Sequence, residues 1–215
     1  MERCSWTSLD TLLEQRRSIR RYTGQMPGDN AIEQVVRAAF TAPSPSNSQP
    51  VRIYRIESAD IRRKLEAHMV RGRERFLAEL AAKPGSKRVN NWVNAYWRYC
   101  EFMFHAPVLL AVGSIQHLEG FSRRMVEAGL IHEDTTEQRD LAVTVGLSLS
   151  AMLLKATALN LGTCVLTAPL TFFPDPERVL GLNQIRIHCY LTLGHADENP
   201  EAPRKKPFDQ MYFRI

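Results

Sequence analysis

The chain has 215 residues, 44% hydrophobic and 24% charged, with a formal net charge of +5. That length holds one large domain or two small ones with a core of useful size. The mild positive charge points to an anionic ligand rather than a nucleic-acid coat, because no basic stripe is interleaved with aromatic residues. Cysteines stand at 4, 100, 164 and 189 with no CxxC pair, so reduced thiols and a cytoplasmic location are expected. The N-terminus lacks the apolar core of a secretory signal. The longest uncharged apolar run, Leu141 to Leu154, has 14 residues between Asp140 and Lys155. A spanning helix needs about 18, so this run reads as a buried core helix and no membrane is expected.

In chain order, residues 8–17 predict a helix with Leu9, Leu12 and Leu13 on one side. It runs into RRSIRRY (16–22), where Arg16 and Arg20, and Arg17 and Arg21, would stand one helical turn apart. Like charges at that spacing cost about 0.2–0.5 kcal/mol per pair. Either a ligand offsets the repulsion or the segment leaves the helix near Ser18. After the turn YTGQMPGDN, Asp29 or Asn30 opens a second helix with Ile32, Val35, Val36, Ala39 and Phe40 at helical spacing. TAPSPSNSQP is a proline-interrupted loop, and VRIYRIE (51–57) alternates like a strand.

Residues 59–82 and 86–104 predict two further helices, the second carrying Trp92, Tyr96, Trp97 and Tyr99, a cluster expected in the core rather than in a pocket. PVLLAVGS (107–114) reads as a buried strand. Residues 115–138 are mixed and charged and suit a mobile cover. Thr135 and Gln138 form a capping box for the long apolar helix that follows, to Leu159. TCVL (163–166) is a short strand. Asp175 as N-cap, Pro176 at the first helical position and Gly181 past the end frame a one-turn helix. QIRIHCYLTLG (184–194) is a final strand. The tail from His195 ends in MYFRI, apolar residues in want of a surface, a partner subunit's for instance. The sum is one α+β domain over 1–215, a small sheet inside many helices.

No GxG spacing, P-loop, HExxH or GxSxG exists in the chain. His132–Glu133–Asp134 reads as a solvated loop rather than a metal site, and Cys164 as a buried strand cysteine. Three segments remain. RRSIRR offers guanidinium forks and a hydroxyl that match a phosphate dianion, or arginines that favour a helix C-terminus. APSPSNSQP (42–50) offers donors and acceptors of both kinds for a polar heterocycle or a ribityl chain, or is a solvated loop. APRKKPFDQM (202–211) is a second basic cluster or a plain basic tail.

In this order and spacing the segments resemble the FMN-dependent nitroreductase family. The RRSIR motif is matched by Arg16–Arg20 and the P-S-x-x-N-x-Q-P loop by Pro43–Pro50. The apolar helix turning through L-G into a strand is matched by ATALNLGTCVLTAP, and the closing strand with P-R-K by YLTLGHADENPEAPRKKP. The resemblance covers both ends of the chain well and 60–138 poorly. It implies an α+β sandwich and an intertwined homodimer with FMN at the subunit interface. It further implies that Arg16, Arg17, Ser18 and Arg20 hold the phosphate and the flavin's polar edge, completed by Arg204 or Lys205. Pro43, Ser44, Pro45 and Asn47 would reach the other subunit's flavin. APLT, with Pro169, Leu170 and Thr171, would lie over the ring, where an amide can bond N5.

The activity implied is ping-pong hydride transfer from NAD(P)H through the flavin to a nitro compound or similar electrophile. It needs no protein nucleophile, general base, metal or nucleic acid. The alternative is a specialised flavin reaction: reductive dehalogenation, substrate oxidation or flavin fragmentation. A non-enzymatic nucleic-acid binder is the reading from another class. Ser150, where many relatives carry Gln, and Thr171–Phe172, where they carry Glu-Gly, depart from the pattern. Phe172 is expected to narrow the space above the flavin or to stack on a substrate, and 60–138 to set acceptor choice.

Overall fold

The computed structural model describes residues 8–115, 121–132 and 135–215. Among these, β1 (Val51–Arg55), β2 (Val108–Ile115), β3 (Gly162–Leu166) and β4 (Ile185–Gly194) form one antiparallel sheet in the order β1-β2-β4-β3. The helices are α1 (Leu9–Gln15), α2 (Asp29–Ala39), α3 (Ala59–Ala81), α4 (Lys87–Arg98), α5 (Phe121–Glu127), α6 (Thr135–Ala158), α7 (Ala168–Phe172) and α8 (Glu177–Leu180). This is the α+β arrangement the sequence implied.

β2 and the second half of β4 are buried at successive positions because both faces of the sheet are covered there. Val108, Leu110 and Val112 of β2 face α2 and α6, where they meet Ile32, Val35, Val145 and Met152. Leu109 and Ala111 face the opposite way, into a second core with Leu65, Met69, Trp97 and Phe172 from α3, α4 and α7. The period of two along β2 thus divides the helices into two layers.

Several expected boundaries move. α1 stops at Gln15, two residues early, and Arg16 is its extended C-cap, so the arginine repulsion is relieved by leaving the helix. α2 begins at Asp29 with Gly28 as N-cap and no side-chain cap bond. The helix expected over 86–104 ends at Arg98. Cys100 follows, its Sγ donating to the Tyr96 carbonyl at 3.1 Å, and then a 3₁₀ turn over Glu101–His105. Before α8, Pro176 is itself the N-cap, while Gly181 closes the helix at φ 67° as anticipated. The capping-box side chain of Thr135 and the residues Glu133–Asp134 lie outside the described ones.

α6 is not buried all round. Glu137–Ala158 is long and apolar enough to cross a membrane by length and composition. Here Val145, Met152 and Ala156 pack in the core, while Val143 and Leu147 are 58% and 43% exposed on the outer side. α1 lies against α6 and exposes Leu9 and Leu13 beside it.

Candidate functional site along strand β3

After α1 the chain runs extended beside β3. Ser18 bridges Thr163 in parallel, and the Ile19 amide donates to the Thr163 carbonyl at 2.8 Å. Two glycines admit this segment. A Cβ on Gly162 would lie 2.8 Å from the Ile19 side chain, and one on Gly194 would lie 2.8 Å from the Tyr22 ring. Ile19 is buried. The Tyr22 hydroxyl donates to the Ile19 carbonyl at 2.6 Å and lies 2.7 Å from Thr192 Oγ1. Burial drives that phenol's pKa well above its ordinary value. Glu198, just past β4, accepts the backbone amides of Arg20 and Arg21 and pairs with the Arg21 guanidinium at 3.6 Å.

This framing sorts the arginines. Arg16 and Arg20 both act on the Cys164 thiol, which burial pushes up and these two guanidiniums pull down. Positions 16, 18 and 20 alternate with 17, 19 and 21 along an extended segment, so Arg16, Ser18 and Arg20 share one side of it. Arg20 also lies over the Tyr99 ring, 5.8 Å from its centroid. Among the described residues neither Arg16 nor Arg20 forms an ion pair. Arg17 is differently occupied: its Nη1 donates to the Glu14 carbonyl at 2.5 Å and the Arg16 carbonyl at 2.8 Å, closing the end of α1. Arg17 stands at the helix end, while Arg16 and Arg20, the latter with its Nη1 3.5 Å from the Ser18 carbonyl oxygen, have no carboxylate partner among the described residues. Two guanidiniums without a counter-charge and a hydroxyl fit a phosphate dianion.

β3 leads from this cluster into α7. Pro169 is buried, Leu170 half-buried and Thr171 exposed. Phe172 turns into the core, edge-on to Trp97 at 5.9 Å and near Phe76 at 6.0 Å. α3 approaches so closely here that a Cβ on Gly72 would lie 1.8 Å from the Phe172 carbonyl oxygen. Beside α7 a cavity of about 370 Å³ opens between α3 and α4, walled by Phe76, Leu80, Trp92, Tyr96, Thr171 and Phe172. The aromatic cluster is therefore divided. Trp97 is core, whereas Trp92 and Tyr96 are more than half exposed and line this cavity.

The loop over 43–50 is unusual in its backbone. Ser46, Asn47 and Gln49 have φ of 51°, 54° and 45°, in the region L-residues with side chains rarely adopt. The Ser44 hydroxyl holds the turn by accepting the Gln49 amide at 2.9 Å. Pro43, Pro45 and Asn47 are exposed. This loop enters β1 at Val51, which pairs with Ser114, at the far end of β2 from Val108. The arginine segment lies beyond β3, at the Val108 end. Six residues along and four strand spacings across separate the two by about 20 Å and 19 Å respectively. One chain places the loop and the cluster at opposite corners of the sheet.

The remaining expected residues stand apart. Arg204 and Lys205 are exposed on the tail, and no hydrogen bond or ion pair joins them to Arg16 or Arg20 among the described residues. Ser150 lies on the exposed side of α6. No group of three or more candidate metal ligands occurs among the described residues. Sequence reasoning missed Glu198, Tyr22 and Tyr99. Tyr22 adjoins the arginine motif and could have been included on that ground; nothing in HADENPEAP marks Glu198.

The chain matches the nitroreductase family over residues 13–195. It is 25% identical over 221 residues to a 4-nitrobenzoate reductase of Nocardioides sp. (strain LMS-CY), covering 94% of this chain and 88% of that protein. It is 23% identical over 217 residues to human iodotyrosine deiodinase 1, covering 95% and 67%. A BluB-like flavoprotein from Clostridium difficile superposes with a TM-score of 0.79 at 21% identity, over 97% of this chain and 99% of that one. With a family match that takes in the arginine segment, the central helix and all four strands, this chain belongs to the nitroreductase family.

Proposed function

We propose that the protein is an FMN-dependent oxidoreductase that takes hydride from NAD(P)H and reduces a nitro compound or similar electrophilic acceptor. The observation that carries this reading is the line of Arg16, Ser18 and Arg20 along β3, leading directly into α7, in a chain of this family. Arg16, Arg20 and the Ser18 hydroxyl hold the phosphate. Arg17 keeps α1 closed so that Arg16 is presented. Pro169, Leu170 and Thr171 offer backbone against the ring, and the adjoining cavity takes the acceptor. When bound, FMN supplies the two-electron carrier. The chain's part is to bind, orient and exclude water, and protons come from solvent.

The working unit is a homodimer with FMN at the subunit interface. The opposite-corner geometry supports this: if Pro43, Ser44, Pro45 and Asn47 touch the flavin, they touch the one held by another copy. Val143, Leu147, Leu9 and Leu13 provide an exposed apolar surface for that copy. The tail, with Phe208, Phe213 and the basic Arg204 and Lys205, is exposed and available to cross it. The whole chain, 1–215, acts as one FMN-binding domain in the cytoplasm, without nucleic acid or membrane. The test is the absorbance spectrum of the purified protein and its anaerobic bleaching by NADH and by NADPH. A flavin spectrum that either nicotinamide bleaches supports the reading; a colourless protein that takes up no FMN contradicts it.

Reductive dehalogenation is the second reading, favoured by the match to iodotyrosine deiodinase 1 along 95% of this chain. A protein whose flavin is bleached by neither nicotinamide, yet which in its dithionite-reduced form releases halide from a haloaromatic, would be assigned to it.

A further inference from the structure

On the other side of α4 from the acceptor cavity lies a polar cavity of about 430 Å³, lined by Arg73, Asn91, Asn94, Trp97, Arg98 and Glu101. We propose that it binds a small oxyanion, a carboxylate or phosphate group, at a site separate from the flavin's phosphate. Three features build it. Arg73 projects from α3 and is half-buried, its Nη2 donating to Asn94 Oδ1 at 2.6 Å and its guanidinium carbon 5.2 Å from the Trp97 ring centroid. That amide and that ring fix its plane but supply no negative charge. Arg73 Nε is buried without an acceptor, and Asn90 Oδ1 in the same seam is buried without a donor. Arg98, one turn beyond Asn94, adds a second guanidinium to the lining.

Neither arginine forms an ion pair among the described residues, although the Glu101 carboxylate lines the same cavity. The two guanidiniums face the cavity without an ion-pair partner, and the Arg73 Nε has no acceptor, so an incoming oxyanion meets donors that the protein leaves unmatched. The fork of a guanidinium donates in parallel to two oxygens of a carboxylate or phosphate, and the Asn91 amide adds a neutral donor. Two guanidiniums against one carboxylate leave the cavity with a net positive charge. Trp97 touches Arg73 on this side and Phe172 on the other, so occupancy is sensed by a tryptophan next to α7.

The test uses FMN-saturated protein, so that the phosphate site along β3 is filled. Inorganic phosphate and acetate are titrated separately against sodium chloride at matched ionic strength, with tryptophan fluorescence and the thermal midpoint as readouts. A saturable response to either anion is expected, and which of the two acts identifies the group. Arg98 is exposed, so Arg98→Gln should fold normally, keep its flavin and weaken binding at least tenfold. Arg73→Met should abolish it. No saturable response to either anion overturns the proposal. So does a response that Arg98→Gln leaves unchanged, since that is a general salt effect or binding elsewhere.

Discussion

Ile19 packs on Gly162 so closely that a Cβ at Gly162 would stand 2.8 Å from two of its side-chain carbons and 2.9 Å from a third. Ile19 sits between Ser18 and Arg20, so this contact sets how near the guanidiniums come to β3. Gly162→Ala therefore displaces the segment that presents them. The expected result is a destabilisation of about 1–3 kcal/mol, typical of overpacking, with weakened FMN retention. Chemical denaturation and flavin content of the same sample check both. A variant with normal stability and normal flavin would show that the approach is not tight.

Arg62 joins α3 to the segment before β2. Its Nε donates to the Ile56 carbonyl at 3.0 Å, and its Nη atoms donate to the carbonyls of Phe104, Ala106 and Pro107 at 3.3, 2.7 and 3.3 Å. Arg62→Met keeps much of the stem and removes the donors. Leaving these carbonyls without a partner should cost about 2–3 kcal/mol, read as a lower urea midpoint with an unchanged slope.

The sheet and the long helices were legible because their residues repeat with the period of the element. β2, β4 and α6 are apolar over runs that only a covered strand or a packed helix accommodates. The ends were less so. Arg16 leaves the helix, and Pro176 rather than Asp175 caps α8, through backbone geometry that several residues satisfy equally. The site was half legible. Arg16, Ser18 and Arg20 form one local motif, which the chain lays beside β3, and Pro169, Leu170 and Thr171 form another, in the helix that follows that strand. Glu198 meets Arg20 across 178 positions, and no local pattern encodes so distant a pairing. Trp92 and Trp97 share a helix and a composition, yet one lines a cavity and the other is core. Only the positions of α3 and α7 decide between them.

His188 gives a pH dependence. Its Nε2 lies 2.7 Å from the buried Ser114 hydroxyl, and burial, with Arg186 nearby, pushes the imidazole below its ordinary 6.5, against a smaller opposing pull from Glu177. A depressed histidine pKa means that the unfolded chain binds a proton the folded one refuses. The stabilisation is fully present above about pH 6.5 and declines as the pH falls through that value towards the folded pKa. Urea midpoints should drop as the pH is lowered through about 6.5, and His188→Gln should flatten that part of the profile. An unaltered slope in the variant would assign the effect to other groups.

The thiols offer a check on burial. Cys100 and Cys189 are each pushed up to about 12 by desolvation, and Cys164 is raised as well. A thiolate is the reactive form, so in a Cys4→Ser background no thiol should react with a disulfide reagent at pH 8 until the protein is unfolded. All three should then react. Rapid labelling of the native protein would contradict the packing around β3, β4 and the end of α4.

The most direct test of the account is equilibrium binding of FMN to apoprotein, comparing wild type with Arg20→Ala. Arg20 is exposed and supports no part of the core through its side chain, so the variant should fold with an unchanged denaturation midpoint. Loss of one charge-assisted contact to phosphate should weaken affinity by about 10- to 100-fold. Riboflavin, which lacks the phosphate, should bind the two proteins alike. Equal FMN affinity in variant and wild type would contradict the claim that the arginine segment along β3 receives the cofactor's phosphate.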